Sequence, residues 1–181
     1  KAGIDPKKIV FSGVGKTSAE ISFAINKNIL LINAEVESEL RVYQGIYGGQ
    51  HHLTHLQKLR KVALNVMRSL ESFKPRLVGP VLEGTAGEYA RITLHLFNDP
   101  PDAVVIHMLD KGLVFRNEQR KFRWYDGSSR PVQLLVTSAE GIEVELILFD
   151  CMDLRQAPPS PVHGRPQKRA PLSEVECLLS G

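Results

Sequence analysis

The sequence predicts a mixed α/β (α+β) chain: a short strand–helix–strand unit, then a mixed sheet with flanking helices. Three observations predict it. Two apolar runs, "KKIVFSG" (7–13) and "ILLINAEV" (29–36), flank an amphipathic segment. Strand, helix and strand within about 30 residues is the pattern of a parallel βαβ unit. Residues 52–73 then repeat Leu53, Leu56, Leu59, Val62, Ala63, Val66, Met67, Leu70 and Phe73 at helical spacing. Finally, "ARITLHLF" (90–97) alternates in polarity, and the run from Arg130 to Asp150 reads as a β-hairpin turning near Glu140-Gly141.

The elements follow in order. Ile9, Val10 and Phe11 are contiguous and β-prone, so 7–13 is a short buried strand. Thr17 followed by Glu20 is a capping box that opens a helix to about Lys27, with Ile21, Ala24 and Ile25 as its apolar stripe. Gly45, Gly48 and Gly49 mark a loop, and the seam between the halves is expected between Glu35 and Gly49. The long helix carries Lys58, Arg60, Lys61 and Arg68 on its other face, which reads as solvated. Pro75 ends it. "RLVGPVLEG" (76–84) is expected to be a strand interrupted at Gly79-Pro80. In 90–97, Ile92, Leu94 and Leu96 share one face and Arg91, Thr93 and His95 the other. Asp99 is expected to cap a helix holding Pro100 and Pro101 in its first turn and ending at Gly112. A proline-rich loop spans 155–171, and Ser173 with Glu176 forms a second capping box for a final helix. The expected domains are therefore 1–40 and 50–181.

Composition narrows the function classes. The chain has 181 residues, 43% apolar and 24% charged, with a formal net charge of +3. That charge is too mild to demand nucleic acid, and aromatics at 7% are too sparse for single-strand stacking platforms. Cys151 and Cys177 form no CxxC pair and read as reduced thiols. No apolar run reaches the roughly 18 residues of a membrane span, and no signal peptide is recognisable at the N-terminus. A cytoplasmic location is the expectation. The first residue is lysine, so the chain is expected to begin inside a longer reading frame.

The stretch "FSGVGKTS" poses a P-loop question. A GxxxxGK[ST] loop needs its first glycine where this sequence has Val10, inside the strand. The loop is too short to wrap a phosphate. Glu35 ends no run of the kind that holds Mg²⁺. The stretch reads instead as a βα turn with an N-capping threonine.

"AGIDPKKIVFSGVGKTSAEISFAINKNILLINAEVESEL" resembles a segment of bacterial diaminopimelate decarboxylase, over about residues 2–40 and most specifically at "KIVFSGVGKT". The resemblance implies a pyridoxal-phosphate (β/α)₈ barrel and lysine biosynthesis. It also implies a Schiff-base lysine upstream of this segment, in a motif this chain lacks. Lys16 belongs to the βα turn and is not that anchor. A barrel needs eight strands, and two do not close one.

Residues from about 40 to 179 resemble an uncharacterised proteobacterial, nucleotidyltransferase-like family of the DNA polymerase β type. The stretches that carry it are "HLQKLRKVALNVMRSLESFKPRLVGPVLEGTA", "ITLHLF", "GIEVELILF" and "SPVHGRP". In active members a Gly-Ser turn meets the triphosphate, and an Asp-x-Asp strand and a third carboxylate hold two metals. Here proline follows Gly79, and the Asp-x-Asp positions fall on Arg91 and Thr93. The third position falls on Glu143 or Glu145.

The candidate site residues are therefore Thr93, Glu143 and Glu145 for chemistry, and Gly79, Arg91 and Arg165 for a nucleotide or other phosphorylated ligand. No metal ligand is assigned, and Mg-nucleotide is the cofactor class in view. Two readings compete. In one, a degenerate transferase keeps a pocket without catalysis, with Arg91 replacing a metal's positive charge. In the other, Arg91, Thr93, His95, Glu143 and Glu145 are the solvent face of a half-buried sheet, joined by cross-strand charge pairs. A third function class, a structural or partner-binding domain, also stands. His51 and His55 have i,i+4 spacing but no intervening glutamate, so zinc hydrolysis is not indicated, and Ser160 lacks a GxSxG elbow. Arg165, Lys168 and Arg169 make a small basic loop suited to a phosphate or an acidic partner.

Overall fold

The structure, a computed structural model, describes residues 10–11, 17–26, 31–32, 49–159 and 165–180. The turn at Gly13, Gly15 and Lys16, together with Glu35 and Ser160, lies outside them. The chain divides into two compact units, Lys1–His55 and Leu56–Gly181.

In the first unit, β1 (Val10–Phe11), α1 (Ser18–Asn26) and β2 (Leu31–Ile32) follow in order. The strands pair in parallel, Val10 opposite Leu31 and Phe11 opposite Ile32, as the βαβ pattern requires. The capping box forms: the Thr17 N–H and hydroxyl both donate to Glu20 Oε2 at 2.8 Å, and the Glu20 N–H donates to Thr17 Oγ1 at 3.3 Å. These bonds satisfy N–H groups that a helix start otherwise leaves open. Ile21 and Ala24, one helical turn apart, are buried.

The long helix α2 spans Gly49–Ser69, and a 3₁₀ turn follows at Glu71–Phe73. In the second unit, β3 (Arg76–Val78), α3 (Pro80–Glu83), β4 (Ile92–Phe97), α4 (Ala103–Asp110), β5 (Arg116–Arg123), β6 (Ser129–Ala139), β7 (Ile142–Phe149) and α5 (Leu172–Ser180) complete the order. The sheet order is β3-β4-β7-β6-β5, with β4 and β7 parallel and the other neighbours antiparallel. The β6–β7 turn sits at Glu140 (φ 52°) and Gly141 (φ 78°). Two consecutive positive φ values suit the tight hairpin turn that the right-handed twist of the strands favours.

Four local expectations are corrected. Residues 80–83 are a helical turn, not strand: Gly79 at φ 72° turns the chain and Pro80 occupies a first-turn position. The helix after β4 begins at Ala103, with Asp102 as its N-cap residue. Asp99 instead accepts a hydrogen bond from the Cys151 N–H at 3.3 Å. Ser173 lies inside the first turn of α5, and its expected partner Glu176 pairs with Arg68 on α2 at 2.8 Å. Nor is the polar face of α2 wholly solvated: Arg60 donates to the Val81 and Leu82 carbonyls, each at 3.2 Å, and so closes the open end of α3.

Each face of the sheet has its own core. Leu77, Ile92, Leu94, Leu96, Val144, Leu146 and Leu148 join Leu59, Val62, Ala63, Met67 and Leu70 of α2 in the larger cluster. The opposite face carries a smaller one: Phe97, Trp124, Leu134, Val136, Ile147 and Phe149. Burying each large apolar side chain contributes roughly 1.5–3 kcal/mol. Leu94 is fully buried at the centre of the larger cluster. Leu94→Ala is expected to destabilise the protein by about 2–5 kcal/mol in urea unfolding followed by circular dichroism.

Candidate functional site

The second face of the sheet is where the candidate residues meet. Alternation places Arg91, Thr93, His95 and Phe97 on it from the β4 segment, and Glu143, Glu145, Ile147 and Phe149 from β7. Register sets Thr93 beside Glu145 and His95 beside Ile147. From β5, Arg120 and Phe122 reach the same face. The His95 and Phe122 rings are 6.4 Å apart, although β7 and β6 lie between their strands. A flat sheet would space those strands by about 14 Å. The face is therefore concave.

Glu145 is the centre of the polar half. It is buried, at 4% exposure. Arg120 donates to both its oxygens, Nη2 to Oε1 at 2.8 Å and Nη1 to Oε2 at 3.0 Å. Arg91 Nη1 donates to Oε1 at 3.1 Å, and the Thr93 hydroxyl donates to Oε2 at 3.4 Å. Burial pushes the carboxyl's pKa up, but the hydrogen bonds and charges of Arg120 and Arg91 outweigh it and hold the group below its ordinary 4.5. Glu143 pairs with Arg91 at 2.7 Å and with Arg116 at 3.4 Å. The expected cross-strand charge pairs are thus present.

The expectation of a wholly solvent-exposed face is corrected at two positions: Glu145 and His95 are buried. His95 sits among aromatic rings, with Phe149 at 4.8 Å and Phe97 at 6.5 Å. Its Nδ1 accepts a hydrogen bond from Arg169 Nε at 3.1 Å. Burial, and then the Arg169 charge, hold His95 well below its ordinary 6.5, so the imidazole is neutral. Arg169 Nη1 donates to the Asp153 carbonyl at 2.7 Å, and its guanidinium lies 4.9 Å over Phe97 and 5.4 Å over Phe149. Burial lowers the Arg169 pKa to about 10.

Beside this cluster is a pocket of about 580 Å³. Val78, Gly79 and Pro80 form one wall, Thr93, His95 and Ile147 a second, and the β5 segment 120–123 a third. Pro159 and Gln167 complete it. The volume lies within the range of small-molecule sites. Of the sequence candidates, Gly79 and Thr93 line the pocket, while Arg91, Glu143 and Glu145 form the adjoining ion-pair cluster. Arg165 is exposed and is not part of the lining. Its neighbour Lys168 pairs with Glu174 at 3.1 Å.

Sequence reasoning missed Arg120, took His95 for part of the solvent face, and took Arg169 for part of a basic loop, where the structure sets it against His95. Arg120 lies in "RNEQRKFR", whose charge density signals only an exposed edge strand. The one available signal for His95 was a histidine inside an otherwise apolar strand.

The site does not suit a resident Mg²⁺. Its buried carboxylate already meets two guanidinium groups, which would repel the cation. Among the described residues no group of three His, Cys, Asp or Glu side chains is placed to hold a metal ion. Among them, too, no helix is long and apolar enough to cross a membrane.

Fold and site together define the second unit as an α+β domain whose mixed, curled sheet holds a pocket on its concave face. Comparison with known proteins adds short matches to one enzyme. The chain is similar to diaminopimelate decarboxylase of Aquifex aeolicus (strain VF5), at 41% identity over 66 residues, 36% of this chain and 14% of the relative. It is similar to that of Helicobacter pylori (strain J99) at 54% over 46 residues, 25% of this chain and 11% of the relative. For Vibrio cholerae serotype O1 (strain El Tor Inaba N16961) the figures are 49% over 47 residues, 26% and 11%. The chain thus spans only 11–14% of the length of these curated relatives. No known family profile matches it, and no solved structure does. The resemblance of the second half to nucleotidyltransferases finds no support in these comparisons.

Two outcomes test the electrostatics. Arg120→Leu removes the bidentate partner of a buried carboxylate and is expected to destabilise by about 1–3 kcal/mol in urea unfolding. Arg116→Ala, at an exposed pair, is expected to stay within about 0.5 kcal/mol. His95 supplies the second. Its folded pKa is depressed, so below 6.5 the unfolded chain binds the extra proton. Its contribution to stability is complete above 6.5 and falls with pH, by up to about 1.4 kcal/mol per unit. The loss of stability from pH 7 to 5.5 is expected to be smaller in His95→Asn than in the parent protein.

Proposed function

We propose that residues 56–181 form a nucleotidyltransferase-like binding module, without efficient catalysis, for a nucleotide or similar phosphorylated small molecule. One observation carries the reading. The pocket lies where a glycine turn, a central strand and a neighbouring strand bearing a carboxylate converge, and that carboxylate, Glu145, is neutralised by Arg91 and Arg120. The convergence suits a phosphorylated ligand. The neutralisation takes away the anionic ligand that two-metal phosphoryl transfer needs. In this reading Arg91, more than half exposed in the adjoining ion-pair cluster, stands in for a metal's positive charge.

A second reading is favoured by the short matches to diaminopimelate decarboxylase. In it the first part of the chain is a segment of a pyridoxal-phosphate enzyme, fused to the module. Its activity would need the lysine anchor and barrel strands that the resemblance places elsewhere.

Thermal melting of the full chain separates these readings. Adding ATP is expected to raise the melting temperature by a few degrees, and equally in Mg²⁺ or EDTA, because ligand that binds only the folded state stabilises it. A rise that requires Mg²⁺ would overturn the metal-free reading. Pyridoxal phosphate is expected to leave melting unchanged and to produce no Schiff-base absorbance band; a band would favour the decarboxylase reading. If neither ligand acts, the domain is structural or partner-binding.

A further inference from the structure

The two edges of the five-stranded sheet are finished differently. At one edge β3 is only three residues long, and the segment before α5 closes it. The Leu77 N–H donates to the Ala170 carbonyl and the Ala170 N–H to the Leu77 carbonyl, each at 2.9 Å. At the other edge β5 runs for eight residues, paired to β6 from Arg116 opposite Val136 to Arg123 opposite Ser129. Among the described residues no strand pairs with its outer side. In an antiparallel ladder every second residue turns its N–H and C=O away from the paired neighbour, so about half of β5 offers both groups outward. All of β5 except Phe122 is exposed. A row of unpaired backbone groups of this length is a template for a further strand.

Charge says what that strand is. β5 carries four cations and one carboxylate. Arg116, Glu118 and Arg120 are held in ion pairs on the concave side. Lys121 and Arg123 alternate onto the opposite side, are exposed, and meet no acid among the described residues. A second copy laid antiparallel on β5 would bring cations against cations, which destabilises strand pairing. An extended segment with carboxylates on every second residue matches the spacing of Lys121 and Arg123. Its intervening residues would turn to the concave side, where Phe122 favours an apolar neighbour.

We propose that the outer edge of β5 receives an extended acidic peptide segment of a partner protein as a sixth strand, with carboxylates beside Lys121 and Arg123 and an apolar side chain beside Phe122. Main-chain hydrogen bonds hold such a strand, and the alternating side chains select it. The interaction needs no phosphate and goes beyond the phosphorylated-ligand reading above.

The test uses the full chain labelled with ¹⁵N and the capped peptide Val-Glu-Val-Glu-Val-Glu as probe, with amide hydrogen exchange read residue by residue. In the free protein every second amide of 116–123 is expected to exchange fast. With the peptide those same amides are expected to become protected, and the binding to weaken as salt is added. Lys121→Glu combined with Arg123→Glu, both at exposed positions, is expected to weaken the peptide about tenfold. The peptide N-methylated throughout, which leaves the protein unaltered, is expected not to bind. Equal binding of Val-Lys-Val-Lys-Val-Lys would overturn the acidic partner. Binding that leaves the β5 amides unprotected, or no binding at about 1 mM peptide, would overturn the proposal. Protection of those amides that rises with protein concentration in the absence of peptide would assign the edge to a second copy and overturn it as well.

Discussion

Glu145 is a carboxylate taken almost wholly out of water, and the concave face of the sheet is arranged around that fact. An isolated buried carboxylate costs several kcal/mol, so it persists only with close, hydrogen-bonded cations. Arg91 arrives from the start of β4 and Arg120 from β5, on the far side of β6. Each of them is partly exposed, so each keeps some hydration while it neutralises the acid. The cluster therefore ties three strands across a face whose buried core, among the described residues, holds no α-helical side chain. The aromatic group around Phe149 does the same for the apolar half.

Between these two halves the pocket is left open, and its chemistry follows from both. The ion-pair half consumes the negative charge that a metal ion would need. The aromatic half buries His95 and leaves it neutral, with one nitrogen turned to Arg169. What remains is a pocket with apolar walls at Val78, Pro80, Phe122 and Ile147.

The legibility of the fold in the sequence was uneven, for physical reasons. The capping box at Thr17 and Glu20, the apolar stripe of α2 and the hairpin at Glu140-Gly141 were all readable, because each rests on residues close together in the chain. The segment 80–83 was misread as strand because "VGPVL" is apolar and β-prone, while the turn at Gly79 and the N-terminal position of Pro80 decide otherwise. Ser173 and Glu176 have capping-box spacing, but Arg68 on a distant helix takes the glutamate. At the site, the alternation of β4 correctly put Thr93 with Arg91 and His95, and that of β7 put Glu143 with Glu145. It gave no hint that the concave side would bury two of them.

By itself the sequence determined the α+β class, the parallel βαβ pairing of the first unit and the faces shared by Arg91, Thr93 and His95 and by Glu143 and Glu145. Those properties depend on periodicity, turn residues and caps, which act within one turn or one strand. The tertiary structure alone decided that Arg120 meets Glu145, that Arg169 meets His95, and that a glycine turn, a histidine and an edge strand enclose one pocket. Such meetings depend on strand order and sheet curvature. These are set by the packing of the whole core and not by any local pattern along the chain.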